Sequence, residues 1–188
     1  MTTLAAALTH LRRIGAGLAS RWRNAYFRAL GVEIDGYAWL RRIDIPRNFG
    51  QISLAKGVAL DEGVTLLAVG EPGATRKITI GADTYINRNA MIDAAHQVSI
   101  GRGVGIGPGC YITDHDHGME PGFPVMTQPL VSRPTVISDG VWLGAGCIVL
   151  KGVTIGSNSV VGAGSVVVHD IPADVIAVGR PARVVRKR

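Results

Sequence analysis

The sequence has few aromatic residues, few cysteines and no long apolar run. Aromatic side chains make up only 5% of its residues, which excludes a core built mainly on large rings. Two cysteines and no secretory signal lead us to expect free thiols in a reducing, cytoplasmic location. The early apolar run is broken by Arg12 and Arg13, and no stretch of about 18 apolar residues offers a membrane span.

Glycine and aliphatic residues, by contrast, are abundant. The chain contains 25 glycines among 188 residues, and 47% of its residues are hydrophobic. Because glycine tolerates tight bends, this mixture favours an aliphatic core interrupted by many sharp turns. The length indicates one domain with an appended segment.

Charge is spread unevenly along the chain, whose net charge is +6. Residues 1–32 contain five arginines and no acid, and residues 180–188 contain five basic residues and no acid. These basic ends are either solvated tails or two anion-binding regions. No aromatic residues interleave with the basic ones as in a nucleic-acid motif, so we expect no nucleic-acid partner.

A six-residue repeat runs through most of the chain. The residue two positions before its aliphatic position is small or β-branched, for instance Val58, Ala90 or Cys147. Alternate residues of a strand share one face, so both positions point inward. The aliphatic position is Leu, Ile or Val in fifteen units: Leu54, Leu60, Leu66, Ile80, Ile86, Ile92, Ile100, Ile106, Ile112, Ile137, Leu143, Val149, Ile155, Val161 and Val167.

Each short strand is followed by a sharp bend. Three residues after the aliphatic position stands Gly, Asn or Asp, residue types that tolerate positive φ best. Three bends close a triangular coil, and successive coils stack as parallel strands. The rule holds in twelve of the fifteen units: Gly57, Gly63, Asp83, Asn89, Gly103, Gly109, Gly140, Gly146, Gly152, Asn158, Gly164 and Asp170.

The corner rule and the register fail together at Val69, Ala95 and His115. After each of these residues the next repeat arrives late, so the sequence predicts three excursions from the coil. The longest spans roughly residues 115–133. Loops that project from a rigid scaffold are favoured places for function.

Residues 1–50 are expected to form a helical or capping segment, ahead of a coil domain at residues 51–188. The helical segment either caps the first coil and protects its open edge, or contacts an anionic membrane surface through residues 4–30. Gly15 and Gly17 weaken any single long helix. Apolar residues recur at mostly helical spacing at Leu4, Leu8, Leu11, Leu18, Trp22, Phe27 and Leu30.

The repeats resemble the hexapeptide repeats of left-handed β-helix acyltransferases over most of residues 50–185. The turn Gly-x-Pro-Ala-Arg at residues 179–183 resembles the closing segment of hexapeptide acetyltransferases. This resemblance implies an all-β fold: a left-handed parallel β-helix with an N-terminal helical segment and a long excursion loop. The left hand comes from the resemblance alone, since parallel crossovers are normally right-handed. The family also implies acetyl-CoA as co-substrate and a homotrimer with active sites between subunits.

His115 is the main candidate for chemistry, because it replaces a turn residue where the longest loop departs. Acyl transfer from a thioester to a hydroxyl needs a base, and histidine has a suitable pKa. A neighbouring carboxylate, Asp114 or Asp116, would hold its ring in one tautomer. Residues 112–117 resemble the active-site segment of sugar O-acetyltransferases, closest to the exopolysaccharide (colanic acid) and maltose or galactoside group. By that resemblance His115 is the catalytic base, and Asp114 and His117 border the substrate or order the loop.

Further site candidates come from the same resemblance. Residues 85–89 resemble the Tyr-x-Asn-x-Asn segment of galactoside acetyltransferase, so Asn87 either stabilises the oxyanion or simply forms a turn. Asp93 is a candidate contact for a sugar hydroxyl. Arg180 and Arg183 are candidates to meet the phosphates of coenzyme A. The residues that resemble the acetyl-CoA groove of the family are Trp142, Gly144, Ala145, Gly162 and Ala163. Repeat geometry also favours small residues at these positions.

Three functions follow as hypotheses. The first is acetyl transfer from acetyl-CoA to a sugar or glycan hydroxyl in cell-surface polysaccharide biosynthesis, at the inner face of the membrane. The second is a carbonic-anhydrase-like zinc protein, but the spacing of His96, His115 and His117 does not match its three-histidine site, so we expect no metal. The third is a non-catalytic β-helix scaffold.

Overall fold

The structure is a computed structural model that describes residues 2–188, with side chains described from residue 5 onward. Within that range one α-helix, α1 (Thr2–Ala29), precedes twenty-one short strands, numbered β1 to β21 in chain order. Three sheets form the three faces of a triangular coil, named here faces A, B and C.

The strands of each face stack in parallel, one from each coil. Face A contains β1 (Glu33–Ile34), β3 (Ile52–Leu54), β6 (Ile78–Ile80), β9 (Val98–Ile100), β14 (Thr135–Ile137) and β17 (Thr154–Ile155). Face B contains β2 (Trp39–Leu40), β4 (Ala59–Leu60), β7 (Tyr85–Ile86), β10 (Gly105–Ile106), β15 (Trp142–Leu143), β18 (Val160–Val161), β20 (Val175–Gly179) and β21 (Ala182–Lys187), of which β21 alone runs antiparallel, against β20. Face C contains β5 (Thr65–Ala68), β8 (Met91–Ala94), β11 (Tyr111–Thr113), β16 (Ile148–Val149) and β19 (Val166–Val167).

The repeat forms the core as the sequence predicts. All fifteen aliphatic positions are buried, none exposing more than 3% of its surface. Burying each such side chain contributes roughly 1.5–3 kcal/mol before the entropy cost of folding is subtracted. Cys110 and Cys147 occupy inward positions in successive coils, are buried, and are free thiols.

Eleven of the twelve predicted corner residues have positive φ, and Asp170 is the exception. At Asp170 the side chain instead bonds the preceding coil, since its Oδ1 accepts a hydrogen bond of 2.7 Å from the Thr154 backbone N–H. The positive φ appears later, at Asp174. None of the three residues that break the corner rule, Val69, Ala95 and His115, has a positive φ.

The coil begins earlier than the expected start at residue 51. Strand β1 pairs with β3, and β2 pairs with β4, so residues 33–40 already form part of a coil below the first full one. Ile34 and Leu40 are buried at the base of the aliphatic core. The helical part of residues 1–50 therefore ends at Ala29.

Helix α1 caps this first coil through polar groups. The Ser20 hydroxyl accepts a bond of 2.9 Å from the Leu40 N–H, and the Asn24 amide donates to the Ala38 carbonyl at 2.7 Å and accepts from its N–H at 3.1 Å. These side chains thus satisfy the open backbone of strand β2 and the residue before it. The cap expectation is met by the C-terminal half of the helix, and of the predicted apolar positions with described side chains only Phe27 is buried.

The apolar stripe of α1 faces away from the coil. Leu8, Leu11, Leu18 and Trp22 expose between 53% and 65% of their surfaces, and residues 5–15 are exposed on every side of the helix. Gly15 and Gly17 do not interrupt the helix, and the space at Gly17 lets the Trp39 ring approach. The side chain of Leu4 lies outside the described residues. Over residues 2–188, no helix combines the length and the apolar character needed to cross a membrane.

All three predicted excursions leave the coil at the same corner, between faces C and A (the C–A corner). The reason is that β5, β8 and β11 lie in register on face C, so Val69, Ala95 and His115 follow one above the other. The longest excursion is an antiparallel arm formed by β12 (His115–His117) and β13 (Leu130–Ser132), with a 3-10 turn at Val125–Thr127. A second 3-10 turn, Phe49–Gln51, leads into β3.

Candidate active site

His115 stands where strand β11 ends and the arm begins, and it is largely buried, with 11% of its side chain exposed. Its Nδ1 lies 2.9 Å from Oδ1 of Asp114. A carboxylate can only accept, so Nδ1 carries the proton and Nε2 keeps its lone pair. The ring is therefore held in the tautomer that a general base needs.

Asp114 is fully buried and serves the backbone, not a ligand. Its two carboxylate oxygens accept hydrogen bonds from the N–H groups of Ala95 at 2.8 Å, His96 at 2.7 Å and Gln97. These residues form the second excursion, so one carboxylate fixes that loop and orients His115. The predicted substrate contact is wrong for this side chain, because it has no surface to offer. The alternative prediction, that it holds the His115 ring, is confirmed.

Asp93 faces the other side of the imidazole. Its Oδ1 lies 3.9 Å from His115 Nε2, beyond hydrogen-bond distance, and is buried without a partner among the described residues. Its Oδ2 accepts a bond of 3.0 Å from the Tyr111 hydroxyl. Burial, together with the nearby carboxylate of Asp93, raises the pKa of Tyr111, so the phenol stays protonated and can donate. Asp93 thus has one satisfied and one unpartnered oxygen beside the His115 ring.

The arm is tied to the coil by residues that the sequence reading did not single out as a pair. Asp116, between the two histidines, forms an ion pair with Lys151 of the next coil, and Lys151 also donates to the Val131 carbonyl at 3.2 Å. His117 lies two residues beyond His115 on the same side of β12, with its Nδ1 buried and unbonded within residues 2–188. A cavity of about 170 Å³ at this corner is lined by His115, Asp116, Arg133, Leu150, Lys151 and Val168.

Asn87 and the candidate cofactor residues gather at another corner, between faces B and C (the B–C corner). The register of face B places Asn87, Gly107, Gly144 and Gly162 in one column, each one coil above the last. Asn87 Oδ1 accepts a turn bond of 2.7 Å from the Arg88 N–H, as the turn alternative predicts. Strand β8, four residues or roughly 13 Å long, separates this corner from the C–A corner. One chain therefore does not bring Asn87 to His115.

Coil packing by itself demands the glycines at the B–C corner. A Cβ at Gly144 would lie 2.5 Å from the Ala163 nitrogen, and one at Gly162 would lie 2.6 Å from the Val178 side chain. The same crowding occurs at Gly81, far from this corner, where a Cβ would lie 2.5 Å from the Gly101 carbonyl carbon. These glycines are therefore structural, whatever ligand the groove binds.

The remaining cofactor candidates border the same corner. Trp142 points outward from face B with 58% of its surface exposed. Arg180 lies in the turn between β20 and β21, above the corner, where it bonds the Gly164 carbonyl. Arg183, at the start of β21, is exposed and faces solvent. Among residues 2–188 no group of three or more His, Cys, Asp or Glu side chains is arranged to hold a metal ion.

Comparison with known proteins gives the chain its relatives. The model of the bacterial transferase hexapeptide family (six repeats) matches residues 134–169. A protein of Escherichia coli K12 named for lipopolysaccharide biosynthesis O-acetyl transfer, WbbJ, is 34% identical over 149 residues, which is 75% of this chain and 74% of that protein. The galactoside O-acetyltransferase of the same organism is 39% identical over 110 residues, 58% of this chain and 54% of the relative. The chain thus spans little more than half the length of several curated relatives that it matches.

A solved structure agrees over a larger share of the chain. The hexapeptide-repeat-containing acetyltransferase of Vibrio cholerae O1 biovar eltor, in complex with acetyl-CoA, superposes with a TM-score of 0.60 at 26% identity. The match covers 89% of this chain and 76% of that one. Together with the fold and the repeat, these relatives establish that the chain belongs to the hexapeptide-repeat acetyltransferases, which are left-handed parallel β-helix enzymes.

Proposed function

We propose that this chain is an acetyl-CoA-dependent O-acetyltransferase that acts on a sugar hydroxyl, with His115 as general base. The arrangement of His115 carries the proposal. Its Nδ1 is fixed by a buried carboxylate, and its Nε2 faces an open oxygen of Asp93 at 3.9 Å. Two adjacent hydroxyls of a sugar would bond one to each, which suits a diol better than an isolated alcohol.

The transfer needs no enzyme nucleophile. The sugar hydroxyl attacks the thioester carbonyl carbon of acetyl-CoA while His115 Nε2 takes its proton. The tetrahedral intermediate then collapses, the carbon–sulfur bond breaks, and the thiolate of coenzyme A takes the proton back from His115. The products are the sugar acetate and free coenzyme A, and Asp114 stabilises the imidazolium throughout.

The proposed enzyme is a homotrimer whose sites lie between subunits. His115 and Asn87 stand at different corners of one chain, so the C–A corner of one subunit would meet the B–C corner of the next. Asn87 would there stabilise the oxyanion, and Trp142, Gly144, Ala145, Gly162 and Ala163 would line the acetyl-CoA groove, with Arg180 and Arg183 near its phosphates. The arm supports this assembly, since Met119, Phe123 and Met126 expose 66% to 78% of their surfaces. A neighbouring subunit would bury these apolar side chains.

The proposed acceptor is a sugar of a cell-surface glycan, modified at the inner face of the membrane. Two kinds of observation support this placement. The relative WbbJ is named for lipopolysaccharide biosynthesis. Helix α1 exposes its apolar stripe, contains five arginines and has no acid. Such a helix suits an anionic lipid surface, whereas a second copy of the same helix would repel it.

Release of free coenzyme A from acetyl-CoA tests the proposal. A panel of free sugars, nucleotide sugars and lipid-linked glycans is offered to the wild-type protein and to His115→Ala. We expect turnover with at least one acceptor and a loss on the order of 10³-fold in the variant, since a positioned base contributes 10²–10⁴-fold.

His96→Ala is the matched control, because its side chain is exposed and only its backbone N–H bonds Asp114. It should retain wild-type turnover. Turnover by His115→Ala at the wild-type rate would rule out His115 as the base. Failure of the wild-type protein to bind acetyl-CoA would refute the proposed acetyltransferase activity.

A further inference from the structure

A second concave site lies between α1 and the first coil, below the residues that carry the candidate chemistry. The cleft measures about 700 Å³ and is lined by Thr9, Arg12, Arg13, Ala16, Trp39 and Arg41; we call it the arginine cleft. Three of its six lining residues are arginines, and none is acidic. A cleft of one charge sign with an aromatic wall has the character of a ligand site.

The positive charge of this cleft is largely uncompensated. Within residues 2–188, neither Arg12 nor Arg13 has a carboxylate within ion-pair distance, and α1 contains no acid at all. Arg41 lies 3.5 Å from Asp61, but Asp61 also serves Arg88 at 3.5 Å and accepts from the Tyr85 hydroxyl. One carboxylate shared among these groups cannot neutralise the cleft.

The chemistry of the lining selects phosphate. Guanidinium groups match the oxygens of phosphate in bidentate geometry and remain charged at every physiological pH. The Trp39 ring, 38% exposed, adds an apolar wall for the organic part of a ligand. The ring also lies close to Gly17 of α1, where an added Cβ would come within 4.0 Å of it.

The position of the cleft relates it to the acceptor. Arg41, Asp61 and Asn87 follow strands β2, β4 and β7 of face B, so they form one column at the B–C corner. Arg41 therefore lies two coils, roughly 10 Å, below Asn87. One sugar ring and the first phosphate attached to it span such a distance.

We infer that the arginine cleft binds the phosphate or diphosphate of a glycosyl-phosphate acceptor, so that the sugar points along the B–C corner toward the reacting centre. The inference rests on the proposed acetyl transfer and names its substrate class. Two sources offer this chemistry: a soluble nucleotide-diphosphate sugar, or a sugar linked by diphosphate to a polyprenyl lipid.

Binding of inorganic pyrophosphate tests the cleft directly. Calorimetric titrations use the full chain with coenzyme A saturating, so that the cofactor phosphates already occupy their own site. We expect saturable binding that weakens at least about tenfold in Arg12→Gln/Arg13→Gln, where charge-assisted bonds are lost. Arg47→Gln, an exposed arginine without an ion pair, is the matched control and should change the affinity less than twofold. Equal affinity in the double variant and the wild type, or no binding by the wild type, would overturn the inference.

Kinetics with matched acceptors identify the source of the phosphate. The same sugar is supplied free, as its uridine-diphosphate conjugate, and as its polyprenyl-diphosphate conjugate in phosphatidylcholine vesicles. Preference for the nucleotide conjugate indicates a soluble substrate, and preference for the lipid conjugate indicates a membrane-borne one. In either case the double variant should raise KM for that conjugate about tenfold, leave kcat unchanged and leave turnover of the free sugar unaffected.

A free sugar used as well as both conjugates would contradict the inference while leaving the proposed function intact. Loss of acetyl-CoA binding, or turnover independent of His115, would instead refute the proposed function. The two failures are thereby distinguishable.

Discussion

The B–C corner and the C–A corner are built from the same six-residue repeat, yet they differ in what interrupts them. From β4 to β18 the B–C corner keeps one residue spacing and one kind of turn, and Gly63, Asn89, Gly109, Gly146 and Gly164 all have positive φ there. The C–A corner takes all three excursions, and no positive φ occurs at Val69, Ala95 or His115. The regular corner meets the demands of coil packing, whereas the interrupted corner leaves backbone groups free to bond the buried Asp114 and carries His115, the proposed base.

Substitution of Asp114, at the interrupted C–A corner, should have the largest effect on activity and stability. Its one carboxylate supports both the second excursion and the proposed base, His115. Asp114→Ala should lower kcat/KM on the order of 10³-fold, since the imidazole loses its orientation. It should also lower the free energy of unfolding by about 3 kcal/mol, as three backbone N–H groups of the second excursion lose a charged acceptor. Acceptor kinetics and urea denaturation measure the two effects.

Asp170→Ala is the control for that change at the same corner. Its carboxylate accepts one N–H bond, from Thr154, and does not touch His115. We expect a loss of about 1 kcal/mol in stability with unchanged kcat. An equal loss of activity in both variants would show that Asp114 acts through general destabilisation.

Substitution of a crowded glycine at the regular B–C corner should lower the stability of the fold. Gly144→Ala places a Cβ 2.5 Å from the Ala163 nitrogen, so successive coils must separate. We expect a loss of about 2–3 kcal/mol in the free energy of unfolding, as in overpacked cores. Thermal denaturation in the absence of ligand measures it.

Gly146→Asn separates crowding from backbone conformation at the same corner. Gly146 has φ +64 and nothing within 4 Å of an added Cβ, and Asn89 already occupies the equivalent position three residues after Ile86. The loss should stay below about 1 kcal/mol, because asparagine tolerates this conformation. A larger loss than in Gly144→Ala would mean that φ, and not coil packing, dictates the glycines.

Asp93 should give a smaller effect, confined to the acceptor. Asp93→Asn replaces the open carboxylate oxygen beside His115 Nε2 with a neutral amide, so KM for the acceptor should rise about tenfold. The KM for acetyl-CoA should not change. Unaltered acceptor KM would remove Asp93 from the proposed sugar contact.

Tyr111 should give the smallest effect. Its hydroxyl orients Asp93 through a bond of 3.0 Å without facing the base. Tyr111→Phe should therefore raise acceptor KM only about threefold, because Asp93 keeps its charge and loses one orienting hydrogen bond. Initial-rate measurements at fixed acetyl-CoA check this, and an effect larger than that of Asp93→Asn would contradict the assigned order.

Most of the coil could be predicted from the sequence because its period is enforced at every turn. A residue such as Ile92 is buried because an aliphatic residue at every sixth position adds to the same core. The core therefore leaves a regular pattern in the sequence. Counting the units in threes would also have placed Leu66, Ile92 and Ile112 on one face, and hence all excursions at one corner. The partial coil of Ile34 and Leu40 was missed because neither is followed by Gly, Asn or Asp three residues later.

The side chains that act across coils were harder to predict. Helical spacing indicated α1 but not which side packs inward, since that depends on the open backbone of Ala38 and Leu40 that Ser20 and Asn24 satisfy. Asp114 was placed next to His115, but nothing local indicates that residues 95–97 lie within reach of its carboxylate. Long-range contacts of this kind leave no period in the sequence.

Mixed assembly of two variants tests whether each active site joins the C–A corner of one subunit to the B–C corner of another. His115→Ala removes the base, and Ala145→Glu puts a carboxylate at an exposed position of the candidate cofactor groove. Each variant alone should be inactive. Co-refolding them in equal amounts should restore about a quarter of wild-type activity, because random assembly pairs two intact halves at that frequency. No activity in the mixture would show that a single chain carries the whole site, and would contradict a site shared between subunits.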